Sequence, residues 1–196
     1  MQYYIYSLVC FLLPGTVWLI WNKGMIADKA YKVRHIIWIY IYLFYGYLAV
    51  QEAAGIGTIW DLIAYGKLDN SINLIPFSSE GAMTYILNII MFMPLGFLLP
   101  LIWKNFRNAK KVVLMGFLMS LAIEICQLFN IRTTDIDDLM MNTLGTLVGY
   151  CFWKVFSLIF RNAGTKCVEM KKSEPVIYMF GGILGLFLLY NWRVFN

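Results

Sequence analysis

Carboxylates, an amide and two glycines recur at helical spacing in residues 135–149. At about 100° per residue, a helix places these residues within one sector of roughly 80°. The members of the stripe are Asp135, Asp138, Asn142, Gly145 and Gly149. Asp137 points away from that sector. Because unpaired carboxylates are costly inside a membrane, the stripe predicts a partner, a ligand or a water-filled pocket.

The apolar stretch before this stripe carries a second polar face. Ser120, Glu124 and Gln127 are spaced i, i+4 and i+7, so a helix places them on one side. Asn88 lies early in another apolar run. At about 1.5 Å per residue, Asn88, Glu124 and Asn142 fall roughly 6–9 Å below the same membrane surface. Three predicted helices therefore bring polar groups to one depth.

Two more charged residues are expected near this surface. Arg132 lies in the loop 130–137, which is predicted to close over the polar groups. Glu52 lies near the end of another apolar run, where it is able to join them. Arg132 is the single basic residue in that loop.

Two interpretations of these polar residues are open. In the first, they form a hydrogen-bond network that holds helices together, with Arg132 neutralising Asp135 or Asp138. In the second, they line a pocket open to the outer leaflet, where Arg132 and Asn142 bind an anionic or polar headgroup. The excess of carboxylates also permits a divalent cation bridging to phosphate, although no spacing matches a known metal motif.

The composition identifies the elements that position these residues. The chain has 196 residues, of which 61% are hydrophobic and only 14% are charged. A soluble domain of this length has no means of burying so much apolar surface. We therefore predict an all-α, polytopic membrane protein with one integral membrane domain over residues 1–196. Six spans are expected, at about 3–21, 35–54, 82–103, 112–129, 138–160 and 176–192, with a short interfacial helix within 58–67.

The basic residues predict the orientation of these spans. The net charge is +5, and thirteen of the 16 Lys and Arg residues fall in or beside connections on one side of the predicted bundle. The positive-inside rule places that side in the cytoplasm and both termini outside. Because the positive charge is explained by orientation in the bilayer, we expect no nucleic-acid partner.

Cysteine and histidine usage predicts neither a metal site nor a cofactor. The four cysteines form no CxxC pair and no disulfide framework. His35 is the only histidine, and it is predicted to lie at the membrane interface among Tyr, Trp and Arg residues. A zinc site of the usual kind needs more Cys and His ligands than this pattern supplies.

Four segments of the chain resemble those of a known family. They are NLIPF at 73–77, NIIMFMPLGFLLP at 88–100, IEICQLF at 123–129 and RTTDIDDLMMNTLGTLVGY at 132–150. In this order they are similar to the VanZ-like family of bacterial membrane proteins. The resemblance covers residues of about 70–152, which we take as the VanZ-like core. No departure from the family pattern occurs at the matching positions.

The resemblance implies a role in the cell envelope. The family is associated with low-level resistance to teicoplanin, a glycopeptide antibiotic that acts on cell-wall precursors outside the membrane. A multi-pass protein in the cell membrane of a Gram-positive bacterium is therefore expected. The resemblance implies no catalytic chemistry, and a resistance phenotype does not follow for every relative.

Three classes of function remain open at this point. The first is binding of a lipid headgroup, a lipid-linked cell-wall precursor or a lipoglycopeptide at the outward pocket. The second is an enzyme that modifies an envelope lipid or its phosphate, with Glu124 or Asp138 as a general base if burial raises its pKa. The third is a transporter or a subunit of an unknown protein partner, although no internal repeat is present. The predicted ligand-binding residues are Asn88, Glu124, Gln127, Arg132, Asp135, Asp138 and Asn142.

Overall fold

The computed structural model describes residues 2–22, 24, 29–66, 72–78, 81–130, 134–160 and 171–195. These ranges contain the helices α1 (Gln2–Asn22), α2 (Lys29–Tyr47), α3 (Ile59–Tyr65), α4 (Ala82–Ile102), α5 (Ala109–Gln127), α6 (Ile136–Ile159) and α7 (Glu174–Leu189). A π-helical segment, Leu48–Ala54, continues α2. Short 3₁₀ helices, Lys104–Phe106 and Trp192–Phe195, follow α4 and α7.

The helical architecture agrees with an all-α membrane protein. Three stretches are long and apolar enough to cross a membrane: Gln2–Asn22, Tyr31–Ala64 and Ala82–Ile102. Helices α5 and α6 are also long, but each carries charged residues near its ends, and α7 has only 16 residues. The predicted count of six spans and the orientation of the termini remain predictions.

The secondary structure differs from the expectation at the start of α2 and in a pair of short strands. Helix α2 begins at Lys29 rather than near residue 35, so basic residues form its first turns. Two short strands, β1 (Ile72–Asn73) and β2 (Thr134–Asp135), pair in parallel, which the apolar periodicity did not predict. The expected interfacial helix within 58–67 is present as α3.

Helices α4 and α6 form the most extensive helix pair, and glycines bring their backbones together. A methyl group at Gly149 of α6 would overlap the carbonyl oxygen of Met93, and one at Gly145 would overlap that of Ile89. On α4, a methyl group at Gly96 would overlap the Thr146 carbonyl oxygen. Close packing of small residues is a common way for membrane helices to associate. This pair fixes the positions of the polar residues that α4 and α6 carry.

The remaining helices pack to one side of this pair or against one another. Helix α5 packs against α6, and α1 packs against α7. At the second contact, the ring of Phe11 fills the space left by the absent side chain of Gly182. Large, fully buried side chains then complete the interior between the pairs, namely Phe11, Tyr42, Phe92, Trp103 and Tyr178.

Candidate functional site

The start of α6 is built by a carboxylate that caps its own helix. Asp135 precedes the helix in an extended conformation, and its side chain accepts a 2.9 Å hydrogen bond from the Asp137 amide. The Asp135 amide donates in turn to Oε2 of Glu124 at 3.1 Å. Aspartate favours such positions because it satisfies an amide that the helix leaves open. This capping interaction links α5 to the first turn of α6.

Asp137 organises the neighbouring loop, a role that the sequence did not suggest. The Phe77 amide donates to both oxygens of its carboxylate, at 2.8 and 3.0 Å, and the Tyr85 hydroxyl donates at 2.9 Å. Asn73 reinforces the same junction by donating to Asp135 Oδ2 at 3.1 Å. Asp137 is fully buried although it points away from the polar stripe. It therefore secures loop 72–78 to α6.

Phe77 adopts a backbone conformation that few non-glycine residues adopt. Its φ is +60°, in the left-handed region, which costs an L-residue roughly 1–2 kcal/mol. The Asp137 contacts and the edge-on packing of the Phe77 ring on Tyr85, with centroids 5.9 Å apart, hold this conformation. Apolar side chains of the loop remain exposed, among them Leu74 and Ile75.

A cavity of about 480 Å³ lies between α4, α5, α6 and the π-helical segment. Its lining includes five of the seven residues that the sequence marked as candidate ligand-binding residues: Asn88, Glu124, Gln127, Asp138 and Asn142. Three helices therefore bring these side chains to one cavity. Their role in binding a ligand remains a prediction.

The other expected residues have different places. Asp135 lies at the cap of α6 and does not line the cavity. Arg132 lies outside the described residues. Glu52 is exposed and accepts a 2.9 Å hydrogen bond from the Tyr47 hydroxyl instead of joining the cavity lining.

Hydrogen bonds hold most of the cavity's polar side chains in fixed positions. The side-chain amide of Asn88 donates to Oδ1 of Asp138, linking α4 to α6. Gln127 Nε2 donates to the Ala54 carbonyl oxygen at 2.9 Å, which ties α5 to the π-helical segment. A preorganised lining of this kind reduces the reorganisation that binding requires.

At Asn142, the side-chain amide forms a hydrogen bond through its nitrogen but not through its oxygen. Its Nδ2 donates to Ser120 Oγ at 3.0 Å. Its Oδ1 is buried and accepts no hydrogen bond from the described part of the chain. A buried acceptor in that state costs roughly 1–3 kcal/mol. The cavity therefore contains an oxygen atom that a hydrogen-bond donor would satisfy.

The cavity has an apolar mouth. Leu87 and Ile90 of α4 line it and are 57% and 54% exposed, and Ala53 of the π-helical segment is exposed as well. We infer that the cavity opens sideways between α4 and this segment. Polar side chains line the interior, and exposed apolar side chains lie at the opening. An amphiphile, with a polar headgroup and apolar chains, matches this arrangement.

A second polar cluster lies at the other end of the helices. His35 Nε2 contacts Glu174 Oε1 at 2.8 Å, the Tyr178 hydroxyl donates to the same oxygen at 3.2 Å, and Trp103 Nε1 donates to Oε2 at 3.0 Å. All four side chains are buried, and the sequence context of His35 did not predict its contact with Glu174. Fifteen residues separate Asn88 from Trp103 at the end of α4, which is about 22 Å along a helix.

The arrangement supports binding more directly than it supports metal chemistry. Among the described residues, no group of three His, Cys, Asp or Glu side chains is placed to hold a metal ion. The cavity instead combines two carboxylates with three side-chain amides. Such a set accepts hydrogen bonds from a polar ligand and attracts positive charge.

Comparison with known proteins identifies the family of this chain and a curated relative. The model of the VanZ/LLP1 family matches residues 5–158. The chain is similar to Protein VanZ of Enterococcus faecium, with 34% identity over 134 residues, which is 67% of this chain and 77% of the relative. No solved structure matches. The matched region contains every described residue that lines the cavity.

Proposed function

Since the chain belongs to the VanZ/LLP1 family, we propose that it is a multi-pass protein of the bacterial cell membrane that binds an amphiphile's headgroup in this cavity. In this proposal six helices span the bilayer, both termini lie outside, and the cavity faces the outer leaflet. The ligand is a lipid, a lipid-linked cell-wall precursor or a lipoglycopeptide. Association of the VanZ-like family with teicoplanin resistance supports an envelope ligand.

The observation that carries the proposal is the contrast between the cavity's interior and its mouth. A headgroup entering the interior would meet Glu124, Asp138 and Asn142. Its hydrocarbon chains would remain beside the exposed side chains of Leu87 and Ile90, in contact with the bilayer. Burying polar groups beside lipid is expensive, so a cavity of this chemistry is better explained by a polar ligand than by packing alone.

Retention of lipid by the purified protein tests the proposal. The wild-type protein and the variants Glu124→Gln and Asp138→Asn would be purified in mild detergent and analysed by native mass spectrometry. We expect bound amphiphile on the wild type and at least about tenfold less on either variant, because each loses a charged hydrogen-bond acceptor. Glu52→Gln is the matched control, since it removes the same charge from an exposed position outside the cavity.

Thermal unfolding of the same samples separates binding from a purely structural network. The proposal expects both cavity variants to unfold within a few degrees of the lipid-free wild type. Loss of folded protein in both variants would favour the interpretation that these residues only hold helices together. Accumulation of a modified lipid with the wild type, absent with Glu124→Gln, would point to the enzyme alternative instead.

A further inference from the structure

The charge of the cavity narrows the chemistry of its ligand. Both charged residues among its described lining, Glu124 and Asp138, are acidic. Across residues 119–150 the sequence contains four acidic residues and one basic residue, Arg132. With the positive charge of Arg132 counted, this stretch of the sequence keeps an excess of negative charge. An anionic headgroup would add to that charge, whereas a cationic group would balance it.

The side-chain amide of Asn142 is an independent observation that also favours a cationic group. Its side chain is 2% exposed, it lines the cavity, and its Oδ1 accepts no hydrogen bond from the described residues. A phosphate oxygen or a carboxylate has no proton to give this atom. An ammonium group has three donors, which is enough to reach an amide oxygen and carboxylates at the same time.

We propose that the headgroup bound in this cavity carries a primary ammonium group, recognised by Asn142 Oδ1 together with the carboxylates of Glu124 and Asp138. This inference rests on the proposed function and adds the chemical class of the ligand. Charge-assisted hydrogen bonds of this type are stronger than hydrogen bonds between neutral groups. The ligand is therefore an amine-bearing amphiphile, for which phosphatidylethanolamine is a convenient probe.

Four probes distinguish the amine from the rest of the lipid. Delipidated wild-type protein in detergent would be titrated with dioleoyl phosphatidylethanolamine, its N-acetyl derivative, dioleoyl phosphatidylglycerol and soluble glycerophosphoethanolamine, with binding read by native mass spectrometry. The N-acetyl derivative keeps the phosphate and both acyl chains but lacks the ammonium. We expect it and phosphatidylglycerol to bind at least about tenfold more weakly than phosphatidylethanolamine, because the loss of even one charge-assisted hydrogen bond has an effect of that size.

Each result has a separate consequence. Equal or tighter binding of phosphatidylglycerol would overturn the ammonium inference and leave headgroup binding intact. Failure of every lipid to bind would overturn both proposals. Equal binding of soluble glycerophosphoethanolamine would uphold the ammonium site and contradict the need for an amphiphile.

Variants test which residues recognise the amine. Asn142→Leu and Asp138→Asn should reduce phosphatidylethanolamine binding about tenfold while changing phosphatidylglycerol binding little, because only the ammonium contacts are lost. Glu52→Gln should change neither. An equal loss of both lipids in the cavity variants would show that the residues act on the cavity's shape, and this would overturn their assigned role.

Discussion

Two polar clusters differ in how completely their hydrogen-bonding groups are satisfied. In the proposed orientation, the cluster around Glu174 is the inner one, and the cavity lined by Glu124, Asp138 and Asn142 is the outer one. Around Glu174, both carboxylate oxygens are engaged by donors from α2, α7 and the residue after α4. In the outer cavity, Asn142 Oδ1 is buried beside empty volume with no donor among the described residues. A fully satisfied buried network makes the fold specific. A buried acceptor without a donor is able to accept a hydrogen bond from a ligand. We therefore assign the inner cluster to folding and the outer one to a ligand.

The largest expected effect comes from breaking the inner cluster. Glu174→Leu removes the shared acceptor of His35, Trp103 and Tyr178, leaving three buried donors without it. Breaking a buried pair of this kind costs about 3–5 kcal/mol, so the unfolding midpoint in detergent should fall sharply. The double variant His35→Leu, Glu174→Leu should recover part of the loss. An unchanged unfolding midpoint in Glu174→Leu would show that the inner cluster does not stabilise the fold.

The helix pair that carries the cavity should be nearly as sensitive. Gly149→Ala places a methyl group against the Met93 carbonyl oxygen and must separate α4 from α6. We expect a loss of about 1–3 kcal/mol in unfolding free energy together with weaker lipid binding. Gly181→Ala is the matched control, because its methyl group would meet only the Pro14 Cβ at 3.5 Å. Equal thermal midpoints for the two variants would contradict close α4–α6 packing.

A milder change weakens the inner cluster without removing it. Tyr178→Phe deletes one hydroxyl that donates to Glu174 Oε1 and keeps the buried ring. The expected loss is about 1 kcal/mol, measured by thermal unfolding, with lipid binding unchanged. Reduced lipid binding at full stability would show that the two clusters are coupled over the length of α4.

The smallest effect on stability is expected in the outer cavity. Asn142→Leu removes a buried oxygen that has no donor, which offsets the lost hydrogen bond to Ser120. Its unfolding midpoint should stay within about 1 kcal/mol of the lipid-free wild type, in contrast to Glu174→Leu. A loss as large as that of Glu174→Leu would erase the distinction between the two clusters.

The sequence predicted the helical membrane architecture because long apolar runs have few alternatives in a bilayer. It also predicted that Asn88, Glu124 and Asn142 would meet, since helical rise converts sequence position into depth. His35 and Glu174 escaped prediction because they are 139 residues apart, and no local pattern pairs them. Asp137 was missed for a similar reason: its partners lie in loop 72–78.

The structure also changes which charged residues are assigned to the site. From the sequence pattern, Arg132 was predicted to bind an anionic or polar headgroup. Asp135 and Asp137 instead act in capping and in securing loop 72–78, and Glu124 and Asp138 give the described cavity lining its negative charge. Side-chain direction within one helical turn decided these roles, and residue spacing alone did not specify it.

Photo-crosslinking of a lipid headgroup tests the central claim most directly. Wild-type protein in nanodiscs would be irradiated with a phosphatidylethanolamine analogue that carries a diazirine beside its amine, and labelled peptides would be mapped by mass spectrometry. We predict labelling near Asn88, Glu124 and Asn142, displaced by unmodified lipid and lost in Asp138→Asn but not in Glu52→Gln. Labelling confined to exposed apolar surfaces such as Ile37 and Phe44 of α2, unaffected by Asp138→Asn, would contradict a ligand site in the cavity.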